Sequence, residues 1–349
     1  MVGVVPAHVY LGVIYFILVF GSIGNACIIA LMQDRDFHKL SYPVYLRLLA
    51  VSDTLLLACV ATEDILDHQY RRLGDFLMYS LTLCKFWNYI SSLGKLSSPW
   101  LVVAMTFDRF VAVVYPLKRA VFCCRRTALI VCSVVLGAIA SETLFYPILS
   151  KRFPEESDCS VKESAMDYII FRTLVIETSL PCVLILFLNV YIIIAINRSR
   201  KFRASSTGTK QTREAKTSRL DKATVSLMAV SVMAFVALVP ISTLQVVEWI
   251  WDGEITRMEQ NLDWNNTEQI QSLDALQERR DEAGNYWPVL NFIFLFNFGH
   301  NFYIMLITGP KYRKIVASWF QCLGHARRKA PSTETSNRDT EDSRVGDKF

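Results

Sequence analysis

The sequence predicts an all-α membrane protein, a bundle of seven transmembrane helices followed by a short amphipathic helix on the membrane surface. Three observations predict it. Near-continuous apolar windows recur at roughly 9–32, 42–66, 83–115, 127–149, 167–196, 222–251 and 286–308, each about the 20 residues a helix needs to cross ~30 Å of hydrocarbon. These windows lack the polar stripe of a soluble core helix, in a chain of 349 residues that is 52% hydrophobic. Finally, Lys and Arg cluster in alternate connections, as orientation in a bilayer requires.

That charge pattern sets the topology with the N-terminus outside. Arg35 and Lys39 follow the first span, Lys118, Arg119, Arg125 and Arg126 the third, a basic run from Arg198 to Lys222 the fifth, and Lys311, Arg313 and Lys314 the seventh. The connection between the sixth and seventh spans is acidic. The net charge of +5 thus divides into basic inner faces and one acidic outer loop, which favours membrane orientation and partner docking over nucleic-acid binding. No cleavable leader is expected, because the first apolar run is full length and lacks a basic stretch before it. The expected layout is a bundle over 1–309, a surface helix over 310–322 and a disordered cytosolic tail over 323–349.

In the first span Asn25 is a lone amide beside Gly21 and Gly24, residues small enough for close helix approach. The second buries Asp53 near its middle and carries Glu63 and Asp64 towards its outer end; a carboxylate at such depth faces the bundle interior and polar partners. The third opens at Cys84 and closes at Asp108-Arg109-Phe110. Ser98 lies on the stripe that can meet Asp53, and Pro99 removes a backbone donor and should bend the helix. Lys95 is a further charge at depth, which can snorkel or pair with a carboxylate of another span.

The fourth span contributes Glu142 in its outer half, and the loop after it holds Cys159. Cys84 and Cys159 share the outer, oxidising face. A bridge between them would close a loop of about 75 residues, worth roughly 4 kcal/mol in the chain-entropy account. The other cysteines fall in spans or face the cytosol. Pro181 interrupts the fifth span with Glu177 one turn outward, and Pro240 interrupts the sixth. With Pro99 they are hinge candidates, plain helix filler being the alternative.

The outer loop 252–285 is long for its place. Its apolar residues, spaced three to four apart, predict an amphipathic helical extension. Asn265-Asn266-Thr267 makes Asn265 a glycosylation acceptor on the outer side. Asn297 and Asn301 in the seventh span are four residues apart, hence on one helix face. From Lys311 to Phe320 bases and apolar residues alternate as in an interfacial helix, and Cys322 at its end is either a palmitoylation site or a free thiol.

Seven spans, the Cys84 and Cys159 pair and Asp108-Arg109-Phe110 at the inner end of the third span together resemble the rhodopsin-like (class A) G-protein-coupled receptors, over residues 9 to 322. The resemblance implies that Asn25, Asp53, Ser98, Asn297 and Asn301 form an interior pocket for an allosteric sodium ion, a hard cation that takes oxygen ligands. It implies that Arg109, held at rest by Asp108, meets the G-protein, with Phe110 in place of the usual tyrosine. Pro116 and Leu117 would supply an apolar knob to that partner, and Lys222 the inner end of the sixth helix. The chain departs from the family at Pro99, at Gly137 where the fourth helix has a tryptophan, at Leu238 where the sixth has its tryptophan, and at Phe302 and Met305 in the seventh-helix motif. The third-span sequence and the Asn301-Phe302 variant look like invertebrate neuropeptide receptors of the FMRFamide-receptor kind. Ser91 replaces the aspartate of aminergic receptors, and the seventh span has no lysine for a retinal Schiff base.

The function expected is therefore a receptor, not an enzyme, for a peptide that carries a basic group. The acceptors would be Glu63, Asp64, Glu142, Glu177 and Glu248, with Ser91, Gln245 and Asn291 as further polar contacts and Trp249 and Trp287 as apolar ones. Partners expected are a heterotrimeric G-protein, arrestin and kinase at the tail, and membrane lipids, with no cofactor beyond the sodium ion. The setting expected is the plasma membrane. The alternatives are a receptor-like protein with altered or constitutive signalling and a transporter; no internal repeat or paired broken helix supports the latter.

Overall fold

Backbone amides in hydrocarbon have no water to bond, so each apolar window must satisfy its own N–H and C=O groups as a helix. Among the described residues, the computed structural model does this with six helices long and apolar enough to span a bilayer, and a pair, Thr267–Asn297 and Asn301–Thr308, bent by 61° at its break, that makes a seventh when taken as one span. It describes residues 5–38, 40–70, 72–73, 80–152, 159–161, 166–205, 211–262 and 266–329, without the side chains of 67, 150–152, 159–161, 166–167, 200–205, 211–224, 226, 320 and 322–329. The chain is a multi-pass membrane protein.

The first three spans are α1 (Ala7–Leu31), α2 (Tyr42–Gln69) and α3 (Leu81–Val114), the last continuous through Pro99. A one-turn helix, Arg119–Phe122, leads to α4 (Arg125–Thr143). Beyond it, strands β1 (Ser150–Arg152) and β2 (Cys159–Val161) form an antiparallel ribbon with Arg152 opposite Cys159. The fifth span passes from a π-helical stretch, Arg172–Ser179, into α5 (Leu180–Ser205). Then come α6 (Gln211–Gln260), α7 (Thr267–Gly284), the two parts of the seventh span, α8 (Trp287–Asn297) and α9 (Asn301–Thr308), and α10 (Pro310–Lys329).

The expected extension of the outer loop is a helical hairpin: α6 runs on past the span and α7 returns along it, tied by Arg280 Nε to Asp252 Oδ1 at 3.0 Å and Gln277 Nε2 to Glu259 Oε1 at 3.2 Å. Asn266 caps α7 by accepting from the backbone N–H groups of Glu268 and Gln269. The surface helix continues to Lys329, so the segment 323–329 of the expected tail is helical. Asn265 and the tail 330–349 lie outside the described residues, as do the side chains of Cys159, Lys222 and Cys322. Cys84 is disulfide-bonded, its partner not among the described side chains.

Two apolar clusters fill the bundle. The outer one joins Tyr10, Ile14, Leu56, Leu57, Leu238, Leu295 and Phe298, and the inner one Ile28, Leu46, Leu49, Met105, Phe302, Met305 and Tyr312. Large apolar side chains such as Phe16, Val19, Ile130, Val134 and Phe187 point outward and exposed, the face a bilayer would cover.

Candidate functional site

Three polar sites lie along the bundle axis. The outermost is a cavity of about 470 Å³ between spans two, three, five, six and seven. Of the residues expected to bind ligand, it is lined by Glu63, Asp64, Glu177, Gln245, Trp287 and Asn291, and also by Lys95, Tyr146, Arg172 and Leu238. Four expected residues do not line it. Ser91 is buried and donates to Glu63 Oε1 at 3.3 Å; Glu142 bonds Arg172 and Tyr168. Glu248 opens instead onto a second cavity, of about 930 Å³, with Asp252, Arg280 and Asp281. Trp249 is 39% exposed, because α7 covers the Glu248 side of α6 and leaves the next residue bare.

Arg172 reorganises the expected ring of carboxylates. It is 1% exposed, and its Nε lies 2.9 Å from Glu142 Oε1, its Nη1 3.1 Å from Glu177 Oε2 and its Nη2 2.7 Å from Ser92 Oγ. Two of the five carboxylates are thus already neutralised by a residue the sequence reading passed over. In an α-helix residues five apart face different sides, but a π-helix bonds i to i+5 and aligns them. Pro181 gives a reason for that stretch: it cannot donate to the Glu177 carbonyl, and its ring would crowd that carbonyl in a regular turn. Trp100 Nε1 donates to the Ile176 carbonyl at 3.0 Å and Thr178 bonds Ser242 at 2.8 Å, so neighbouring spans hold the widened turn. The sequence signal was present as a base and an acid five residues apart inside an apolar run.

Glu63 and Asp64 are held by neutral donors. Glu63 Oε1 accepts from Trp87 Nε1 as well as Ser91, while its Oε2 has no partner among the described residues. Asp64 Oδ1 accepts from Tyr10 Oη at 2.9 Å, and Asn291 donates to Tyr10 at 2.8 Å and to Asp64 Oδ2 at 3.5 Å. Neither carboxylate has an ion pair among the described residues.

Deeper, Asp53 is fully buried, with Ser98 Oγ at 2.7 Å and Asn301 Nδ2 at 2.9 Å. The rest of the expected pocket is arranged differently. The seventh span breaks after Asn297 and restarts at Asn301, so the two do not share a helix face, and Asn297 is not among the partners of Asp53. The break is braced by α1: Asn25 Nδ2 donates to the Phe298 carbonyl at 3.0 Å, and a Cβ placed on Gly299 would lie 2.6 Å from the Gly21 Cα. The Asp53 carboxylate and the Ser98 hydroxyl are oxygens of the kind a hard cation takes, but Asn301 turns its amide donor to Asp53. The buried Asn25 Oδ1 has no partner among the described residues.

At the inner end Arg109 and Asp108 are 4% and 6% exposed. Asp108 Oδ2 accepts from Arg109 Nη2 and from Ser41 Oγ at 2.8 Å, and the guanidinium lies 4.9 Å over the Tyr42 ring. Phe110 packs edge-on against Tyr115 and Tyr191. Pro116 is exposed, and Leu117 is 96% exposed beyond it. A buried charge pair thus lies at one end of the bundle, a mixed-charge cavity at the other and a buried carboxylate between them. A profile of the family described as 7 transmembrane receptor (rhodopsin family) matches residues 24–272. The chain belongs to the rhodopsin family of seven-transmembrane receptors.

It is a receptor-family protein and not an enzyme. Its similarity to individual relatives is low and partial. It is 26% identical to the alpha-1A adrenergic receptor of Cavia porcellus over 59% of the chain and 43% of that protein. It is 28% identical to the G-protein coupled receptor homolog K2 of swinepox virus over 34% and 30%, and 26% identical to the RYamide receptor of Drosophila melanogaster over 38% and 28%. The chain spans less than half the length of each of these relatives.

Proposed function

We propose that this rhodopsin-family receptor takes an extracellular peptide with a basic group into the outer cavity and activates a heterotrimeric G-protein at Arg109. The observation that carries the reading is Glu63, a half-buried carboxylate lining the cavity with one oxygen held by Trp87 and Ser91 and the other without a protein partner among the described residues. A desolvated carboxylate of this kind is a directional acceptor for guanidinium or ammonium. Glu142 and Glu177 serve Arg172 instead, so the basic group belongs at Glu63 and Asp64. The similarity to a receptor named for RYamide supports a peptide.

Ligand in the cavity shifts the population towards a state in which α6 swings outward about Pro240 and frees Arg109 from Asp108. Leu117 then docks on the G-protein. The N-terminus lies outside, the setting is the plasma membrane, and Cys84 bridges to Cys159. A sodium ion held by Asp53, Ser98 and Asn25 favours the closed state.

A peptide-library screen on cells that carry the full chain, read as agonist-dependent GTP loading of co-expressed G-protein, tests the reading. Glu63→Gln should then lower agonist potency, since truncating one partner of a desolvated pair costs about 2–5 kcal/mol; unchanged potency refutes the basic-group reading. Agonist affinity insensitive to replacement of sodium by N-methylglucamine refutes the ion. A second reading, altered or constitutive signalling, draws on Leu238 and Met305, where the chain departs from the family pattern, both buried in apolar clusters. High GTP loading that no peptide changes would favour it.

A further inference from the structure

The outer cavity carries charge of both signs, and the two cations among its described lining residues are in different situations. Arg172 has three nitrogens committed to Glu142, Glu177 and Ser92. Lys95, on α3 one turn inward from Ser91, lines the same cavity half-buried. It forms no ion pair and no hydrogen bond among the described residues, although Glu63, Asp64 and Glu177 line the cavity with it. Those three carboxylates are instead bonded by Trp87 and Ser91, by Tyr10 and Asn291, and by Arg172.

An ammonium held within a span with no carboxylate in ion-pair contact among the described residues is costly. A ligand anion that reached Lys95 would remove that cost on binding, and a ligand with no anion would leave it. The arrangement therefore separates two recognition sites across one cavity, an acceptor for a cation on α2 and a donor for an anion on α3.

We propose that Lys95 is the anion-recognising group of the outer cavity, so that the ligand is zwitterionic: its cationic group meets Glu63 and a carboxylate meets Lys95. This deepens the function proposed above and rests on it for the cation alone. The carboxylate could be a peptide C-terminus or an acidic side chain; the shared chemistry is an anion within reach of one ammonium.

The purified full chain can be tested with an ω-amino acid series from 3-aminopropanoate to 8-aminooctanoate, each also as its methyl ester and its N-acetyl form. Ligand-observed NMR at millimolar probe gives relative affinities. We expect one chain length whose free acid outbinds its ester by about tenfold or more, the factor that corresponds to ~1.4 kcal/mol. Lys95→Gln should bring that ratio to about one, and Lys95→Arg, which keeps the charge, should preserve it. Acid and ester binding equally, a ratio that survives Lys95→Gln, or no member binding at all would each overturn the proposal. The cation is read separately: a free amine that binds no better than its N-acetyl form refutes the basic-group reading and leaves the acid-to-ester ratio to decide Lys95.

Discussion

Arg172 and Glu177 stand five residues apart in one helix and still form an ion pair, Nη1 to Oε2 at 3.1 Å. The π-helical turn that permits this also aims Arg172 at Glu142 and Ser92, so one buried guanidinium ties the third, fourth and fifth spans together. Removing it leaves Glu142 and Glu177 without their counter-charge. Arg172→Met is expected to cost about 3–5 kcal/mol, seen as a lower midpoint of thermal unfolding of the purified receptor. Adding Glu142→Gln and Glu177→Gln to the same chain should recover much of that loss, and no recovery would mean the pair is not what holds the spans.

The close approach of α1 to the break in the seventh span makes a second prediction. Gly299→Ala would set a methyl 2.6 Å from the Gly21 Cα, which is backbone and cannot turn aside. Overpacking of this kind costs about 1–3 kcal/mol. Gly12→Ala on α1, the helix of Gly21, meets nothing within 4 Å and should be neutral or stabilising by up to about 1 kcal/mol. Thermal unfolding of the two variants side by side distinguishes a packing demand from a general intolerance of alanine.

At the inner end Asp108 holds Arg109 and Ser41 in one buried cluster. Asp108→Asn replaces charge-assisted bonds worth about 1.5–3 kcal/mol with neutral ones. Basal GTP loading of co-expressed G-protein should rise, by as much as roughly tenfold. Leu117→Ala, at the 96% exposed knob, should lower agonist-stimulated loading without moving the unfolding midpoint. Basal loading unchanged by Asp108→Asn would show that this pair does not restrain the receptor.

Two adjacent cysteines in the inner loop differ in acidity. Burial and then the nearby Asp108 carboxylate push the Cys123 thiol up to about 11, whereas hydrogen bonding with Thr127, whose Oγ1 lies 3.3 Å away, lowers that of Cys124. A lowered pKa means more thiolate at a given pH, and the thiolate is what alkylates. Iodoacetamide at pH 8 should therefore modify Cys124 well before Cys123, with the Cys123 rate still climbing near pH 10. Peptide mapping by mass spectrometry reads both, and Thr127→Val should slow Cys124.

The sequence by itself determined the membrane spans, the family, the carboxylates Glu63 and Asp64 towards one end of the second span, the buried Asp53 and the Asp108-Arg109 pair at the end of the third. It could do so because hydrocarbon thickness sets span length and because charges at depth are rare enough to stand out. The one pairing read from a regular 3.6-residue repeat, Asn297 with Asn301, failed because the helix breaks between them, and a π stretch made a pairing that such a repeat does not suggest. The π turn placed Arg172 beside Glu177, and the break at Phe298 parted Asn297 from Asn301. Only the tertiary structure decided which carboxylates are already neutralised, that Asn25 braces a carbonyl of the seventh span, and that Lys95 lines the cavity with no ion pair among the described residues. Each of these turns on which neighbouring span supplies the partner, and local sequence periodicity carries no record of that.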